Sequence, residues 1–327
     1  MFRIRTGVAV AALAAVIGLA VSLPAAAQDY PSKPIRIISP FPPGGGNDVV
    51  ARIMADALTP RLGQQVVVEN RPGASGLIGS DYVAKAAPDG YTLLSAAVDA
   101  LSMIPALKAD MPYEAESFTF LAKVSENAMV LTVPSQMPIA NLNEFIAHAK
   151  QNPGKVRYGT NGVGAAAHLA TELFMKHTST KLMHVAYKGM ANAMNDVLGA
   201  HIDFVMLTPV AIAPHVQSDK LKLIAFTGAE RHASLPNVPT MKELGFPLAT
   251  VSVWYGLAGP GNMPAAITDR LTKEIAAVLA DPAIRQKLAA AGSTVAPVIG
   301  SAFRQMVIDE IKQWKEIAKA ENIVFPN

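Results

Sequence analysis

The chain of 327 residues contains no cysteine. Disulfides, thiol nucleophiles and cysteine-ligated metals are therefore excluded together. Charge is scarce: Asp, Glu, Lys and Arg make up 16% of the residues, and the formal net charge is +3. Two of the 28 basic residues, Arg3 and Arg5, precede the first apolar run, which leaves 26 basic against 25 acidic residues beyond it. With the remainder nearly neutral, no nucleic-acid partner is expected. Catalytic signatures are missing too. There is no His-Glu-x-x-His, and the seven histidines do not cluster at ligand spacing, so no metal or other cofactor is expected. Ser75 stands in Gly73-Ala74-Ser75-Gly76, out of frame for the Gly-x-Ser-x-Gly of a hydrolase. No Gly-Lys-Ser/Thr follows the glycine-rich loop, and its spacing is not that of a dinucleotide fingerprint. A non-catalytic protein is expected, with a small-acid hydrolase or lyase as the competing enzyme class.

What is present begins with an export signal. Arg3 and Arg5 are followed by an uncharged apolar run from Val8 to Leu23 and then by Ala25-Ala26-Ala27. The run is shorter than the ~20 residues that span a bilayer, and the alanines suit signal peptidase. Cleavage after Ala27 and a periplasmic location are expected. About 300 residues then remain, enough for two domains with separate cores. No second apolar run approaches membrane length, so the exported chain is expected to be soluble and is taken to be monomeric.

The pattern along the chain is α/β. IRIIS (35–39), VVVEN (66–70) and YTLLSA (91–96) read as buried strands, with helical spacing over 48–58 and 77–87 between them. This predicts a parallel sheet with right-handed crossovers. After a strand at 118–124, a second alternating series begins. It has strands at 129–134, 156–160, 182–187, 202–207 and 221–227, with helices begun by Asn141, near Gly164 and near Asn192. A strand at 251–259 and helices from Pro264, Asp281 and Ser301 follow, the last one amphipathic as if packed back on the first lobe. The expected organisation is signal peptide 1–27, one lobe from 28–126 plus 250–327, and a second lobe from 127–249. Crossings near Ser125–Ala128 and Leu248–Ser252 would form the hinge.

Three loops lie at the carboxyl ends of strands, where open α/β sheets bind ligands. In Phe41–Asp48, the prolines, Pro43 among them, fix the entry and the three glycines, Gly44, Gly45 and Gly46, let backbone approach a ligand, while Asn47 or Asp48 can cap the following helix. A strand, a glycine turn and a helix N-terminus together suit an anion. The same loop reads equally well as a tight turn without a ligand. Gly45 is expected where a side chain would block the ligand or strain the backbone. NRPGASG (70–76) reads as a second such loop or as a buttress for the first. Tyr158–His168, with Thr160, Asn161, Gly164, Ala165 and His168, repeats the logic in the second lobe, so two such loops are expected to face one cleft. His168 either binds an anion there or simply caps. Met190, Met194 and Met206 line a pocket or fill the core, and Trp254 and Tyr255 at the second crossing wall a ligand or merely pack.

The chain resembles the tripartite tricarboxylate transporter receptor family, also called Bug proteins. The likeness is carried by YPSKPIRIISPFPPGGGNDVVARIMA (30–55), VVVENRPGASGLIGSDYVAKAAPDGYTLL (66–94), NPGKVRYGTNG (152–162), HVAYKG (184–189) and LPNVPTMKELG (235–245). The resemblance implies a two-lobed, type II periplasmic binding protein of Venus-flytrap form, each lobe a mainly parallel sheet flanked by helices. It implies capture of a small organic carboxylate by lobe closure and delivery to the membrane subunits of a tripartite transporter, a ligand sensor for a membrane kinase being the alternative. It also implies ligand contacts from Pro42–Asp48, from Ala96–Asp99 after the third strand, with Ala97 and Asp99 among them, and from Thr160–His168. Where relatives usually carry serines, this chain has Ala165, Ala166 and Ala167, and where many carry Asp or Asn it has Leu207 followed by Thr208. These departures point to a carboxylate with an apolar body rather than an amino acid or a hydroxyl-rich acid.

Overall fold

The computed structural model describes residues 30–215, 219–246 and 251–323. The compact unit from Lys33 onward contains both sheets. The expected export signal, residues 1–27, lies outside the described residues, as does most of the expected second crossing.

The first lobe grows from β1 (Ile35–Ser39), which pairs in parallel with β2 (Val66–Asn70) and β3 (Thr92–Ala97). The chain steps from β1 out to β2 and back past β1 to β3. With right-handed crossovers this places α1 (Gly46–Leu62) and α2 (Leu77–Ala84) on opposite faces of the sheet. A strand covered on both faces needs a continuous apolar run, and Ile35, Ile37 and Ile38 are fully buried. α1 ends at Gly63, whose φ of 67° is the left-handed conformation that closes a helix. After β3 the chain enters a π-helical turn, Asp99–Met103, and a short helix α3 (Ile104–Leu107).

β4 (Phe118–Ala128), β10 (Ser252–Pro260) and β11 (Val295–Ile299) complete a six-stranded sheet in the order β11-β4-β10-β3-β1-β2. These three strands pair antiparallel. The second lobe holds β5 (Val130–Pro134), β6 (Arg157–Thr160), β7 (Met183–Ala186), β8 (Phe204–Leu207) and β9 (Leu221–Phe226), in the order β7-β6-β8-β5-β9. There β6 runs parallel to β7 and β8, and β5 runs antiparallel to β8 and β9. Both sheets are thus mixed, which corrects the expectation of mainly parallel ones. The physical reason is the hinge: a chain that crosses out along β4 and returns along β10 lays those strands against each other in opposite directions.

Helices α4 (Leu142–Gln151), α5 (Ala166–Thr178), α6 (Met190–Leu198) and α7 (Pro209–Ile212) belong to the second series, and α8 (Ala265–Ala280), α9 (Pro282–Ala290) and α10 (Ser301–Ala320) follow β10. Asn141 starts α4 by accepting the Glu144 N–H at 3.0 Å, while the Glu144 carboxylate accepts the Ala140 N–H at 2.7 Å. The second core is aromatic, with Phe145 wholly buried and edge-on to Phe204 at 4.9 Å. α10 packs back on β4, β11 and the turn Asp99–Met103, as its amphipathic pattern requires.

The two crossings are tied together at the hinge. Thr227 donates its N–H to the Met129 carbonyl at 2.7 Å and accepts the Met129 N–H on Oγ1 at 2.8 Å. Its hydroxyl then donates to the Val251 carbonyl at 3.0 Å.

Candidate ligand-binding site

Between the sheets lies a cavity of about 50 Å³, on a measure in which one water needs roughly 10–15 Å³. Two helices begin at its wall. The Gly45 backbone is extended at the start of α1, and Ala165 plays the same part for α5. Neither start carries a side-chain cap, so the first-turn N–H groups, which have no intrahelical acceptor, are left for other partners. Gly45, Gly46 and Asn47 of the first lobe and Ala166 and Ala167 of the second line the cavity. Among the described residues no Lys, Arg or His lines this cavity, so an anion would be held there by N–H groups and helix dipoles.

The remaining wall is mostly apolar. Met129, Met190, Met206, Leu207, Ala211, Val253 and Phe41 supply it, and Thr208 with Tyr255 adds a hydroxyl pair. Burial pushes the Tyr255 phenol far up, a hydrogen bond with Thr208 offsets part of the rise, and the charge of Asp99 adds to it. The phenol is therefore a neutral donor. A second chamber of about 220 Å³ shares Gly45, Met190 and Ala211 with the first and adds Pro43, Gly44, Met194 and His215.

Asp99 is the most consequential side chain. It stands on the first lobe, 6% exposed, yet its carboxylate accepts the Ala166 N–H of α5 at 2.7 Å and the Asn161 Nδ2 at 2.9 Å. Burial raises its pKa, and those two hydrogen bonds pull the other way. Ser75 adds another link between lobes, donating to the Asn161 carbonyl at 3.0 Å. The loop at 70–76 thus reaches the second lobe rather than simply buttressing the first loop.

Several residues expected at the site serve it indirectly. Asn47 lines the cavity, but its side chain accepts from Ser39 Oγ at 3.0 Å and donates to the Ser95 carbonyl at 3.1 Å, so it fastens the loop to β1 and β3 and does not cap α1. Asp48 accepts Gly44 N–H at 3.0 Å, Asn70 Nδ2 at 2.7 Å and both Arg52 nitrogens at 3.0 Å. Burial pushes its pKa up, but Arg52, Asn70 and Gly44 outweigh that and hold it below the usual value.

His168 does not line the cavity: its Nδ1 accepts the Gly164 N–H at 3.1 Å and its Nε2 faces Glu172 at 3.4 Å. His184 stacks on His168 at 4.0 Å and meets Thr160 Oγ1 at 2.6 Å, with a pKa lowered to about 4, first by burial and then by His168. Thr160, Gly164 and His168 therefore hold the second-lobe loop from beneath. Ala165 is buried at the start of α5, and Ala97 pairs with Tyr255 across β3 and β10, away from the cavity wall. Trp254 donates Nε1 to Glu310 at 2.8 Å on the far side of β10, because alternation along a strand sends Val253 and Tyr255 inward and Trp254 outward.

The expected residues that do line the cavity are Gly45, Asn47, Asp99, Asn161, Leu207 and Thr208. Phe41 and Gly46, within the glycine-rich loop expected at the site, line it as well, whereas Met129, Ala211 and Val253 were missed in the sequence, and nothing local marks Met129 or Ala211. The strain expected at Gly45 is not found: its φ is −75°, and among protein atoms a Cβ there would meet only the Pro42 carbonyl at 3.7 Å. The crowded position is Gly46, where a Cβ would lie 2.6 Å from Tyr255 OH, 2.8 Å from Val210 Cγ1 and 3.0 Å from Thr208 Oγ1.

Two α/β lobes, joined by paired crossings and enclosing a cavity at two helix starts, define a two-lobed solute-binding protein. Comparison with known proteins narrows the class. The family described as "Tripartite tricarboxylate transporter family receptor" matches residues 50–323, and the chain belongs to that family. It is 36% identical over 318 residues to protein BugT of Bordetella pertussis, covering 94% of this chain and 96% of BugT. The structure of the periplasmic binding protein BugD superposes with a TM-score of 0.86 at 33% identity, covering 90% of this chain and 99% of BugD. R. palustris Rpa4515 with adipate superposes with a TM-score of 0.87 at 29% identity, covering 90% of this chain and 99% of that one.

Proposed function

We propose that this receptor works in the periplasm, closes its lobes on a small organic carboxylate without chemical turnover, and hands it as a monomer to the membrane subunits of a tripartite transporter. The observation that carries the reading is the pair of helix N-termini, α1 from one lobe and α5 from the other, opening on one cavity. An anion between them is gained only when both lobes are in place, so binding and closure are linked. In this reading residues 28–126 with 250–327 move as one body against 127–249.

Magnitudes favour a ligand with an apolar body. Three charge-assisted hydrogen bonds at roughly 1.5–3 kcal/mol each give about 4.5–9 kcal/mol gross, while micromolar affinity needs about 8 kcal/mol net. Ordering consumes part of the gain, so the body must contribute at roughly 2.5 kcal/mol per 100 Å² buried. Methionines and Leu207 offer that surface, and the second chamber lies beside them. Thermal shift of the purified protein against adipate, benzoate, citrate, malate and glutamate tests the preference. Stabilisation by an apolar-bodied acid is expected, and citrate or glutamate binding more than tenfold tighter than every such acid would refute it.

A further inference from the structure

The first N–H of α5 is already taken by a carboxylate of the protein itself. Asp99 Oδ1 accepts the Ala166 N–H at 2.7 Å, the first free donor of that helix, and Oδ2 accepts the Asn161 side chain at 2.9 Å. Both bonds donate toward Asp99, which suits an ionised acceptor. Asp99 also lines the cavity, so its charge faces whatever is bound there.

The carboxylate is held firmly. The π-helical turn that carries it is pinned at two points. Tyr113 OH donates to the Ala100 carbonyl at 2.8 Å, Ser102 Oγ donates to Glu310 at 2.6 Å, and Glu310 is fixed in turn by Trp254 Nε1 at 2.8 Å. A side chain so anchored cannot swing away when a ligand arrives.

From this placement we infer that Asp99 selects ligands bearing a single carboxylate and rejects dicarboxylates. The inference rests on the receptor reading above. The start of α1 and the later N–H groups of α5 remain for one ligand carboxylate, and a second carboxylate held within the cavity of about 50 Å³ would face Asp99. Among the described residues no lysine, arginine or histidine lines this cavity to offset the repulsion, His215 standing in the adjoining chamber. The structural relative R. palustris Rpa4515, by contrast, is seen with adipate, a diacid.

Calorimetric titration with matched pairs tests it: butyrate against succinate, hexanoate against adipate, benzoate against terephthalate. In every pair that binds, the monoacid is expected to bind the wild-type protein at least tenfold tighter. Asp99→Asn, which keeps the size and an acceptor for the Ala166 N–H, is expected to cut that ratio tenfold or more. A purely structural Asp99 would weaken both members alike and leave the ratio unchanged. A diacid within tenfold of its partner on the wild-type protein overturns the inference without any variant, and an unchanged ratio in a folded Asp99→Asn protein does so independently. If no acid of any pair binds, the receptor reading falls and the inference with it.

Discussion

At the scale of single residues the site depends on where side chains are missing and where one charge is placed. Gly46→Ala would put a methyl group against Tyr255 OH and Val210, which belong to the hinge strand and the opposite lobe. Ligand affinity is expected to fall tenfold or more with the melting temperature nearly unchanged, whereas Gly45→Ala, with only the Pro42 carbonyl at 3.7 Å, should lose much less. Equal losses in the two variants would contradict this. The run of three glycines was legible as a site. Which glycine matters was not, because that is decided by residues more than 160 positions away in the chain.

Asp99 carries a pH signature. Its folded pKa is raised by burial, so between the ordinary carboxylate value near 4 and the raised value the folded chain holds a proton that the unfolded chain has lost. The associated stability is fully present below the unfolded pKa and is lost as pH rises through the folded one. Wild-type protein is therefore expected to lose melting temperature relative to Asp99→Asn as pH rises from about 4 to 7. A difference that is flat, or that runs in the opposite direction, would show that the hydrogen bonds from Ala166 and Asn161 outweigh burial.

At the scale of elements, strands and helices with one clear environment were the legible ones. β1 and β3 read as strands because helices cover them and their residues are nearly all apolar, and α4 declared itself through Asn141 and Glu144. β11 did not, since Val295–Ile299 is half-exposed and carries Pro297. The turn Asp99–Met103 gave no periodic signal either; tertiary contacts from α10 shape it. Glu310 of α10 is the test of that dependence. Its carboxylate, with a pKa raised first by burial, accepts from both Ser102 and Trp254. Glu310→Ala leaves two buried donors unmet and is expected to lower unfolding free energy by about 1–3 kcal/mol in denaturant titration, with Glu310→Gln retaining most of the stability. Equal stability in the Ala variant and the wild type would remove Glu310 from the support of the site.

At the scale of the molecule, alternating patterns revealed two α/β series, and loops at strand ends in each series suggested a shared cleft. Those patterns did not reveal that β4 and β10 run antiparallel, because strand direction within a sheet follows from the return path of the chain and not from local sequence. The placement of Asp99 across the lobes was hidden for a similar reason, since its partners Asn161 and Ala166 lie on the other sheet's loop.

Titration calorimetry of the purified protein against the panel of small carboxylic acids tests most directly whether this molecule captures an acid without transforming it. Heat that saturates at one equivalent of acid per chain and then falls to the heat of dilution is the expected result. Heat that continues after saturation, as in turnover, or no heat with any carboxylate, would contradict it.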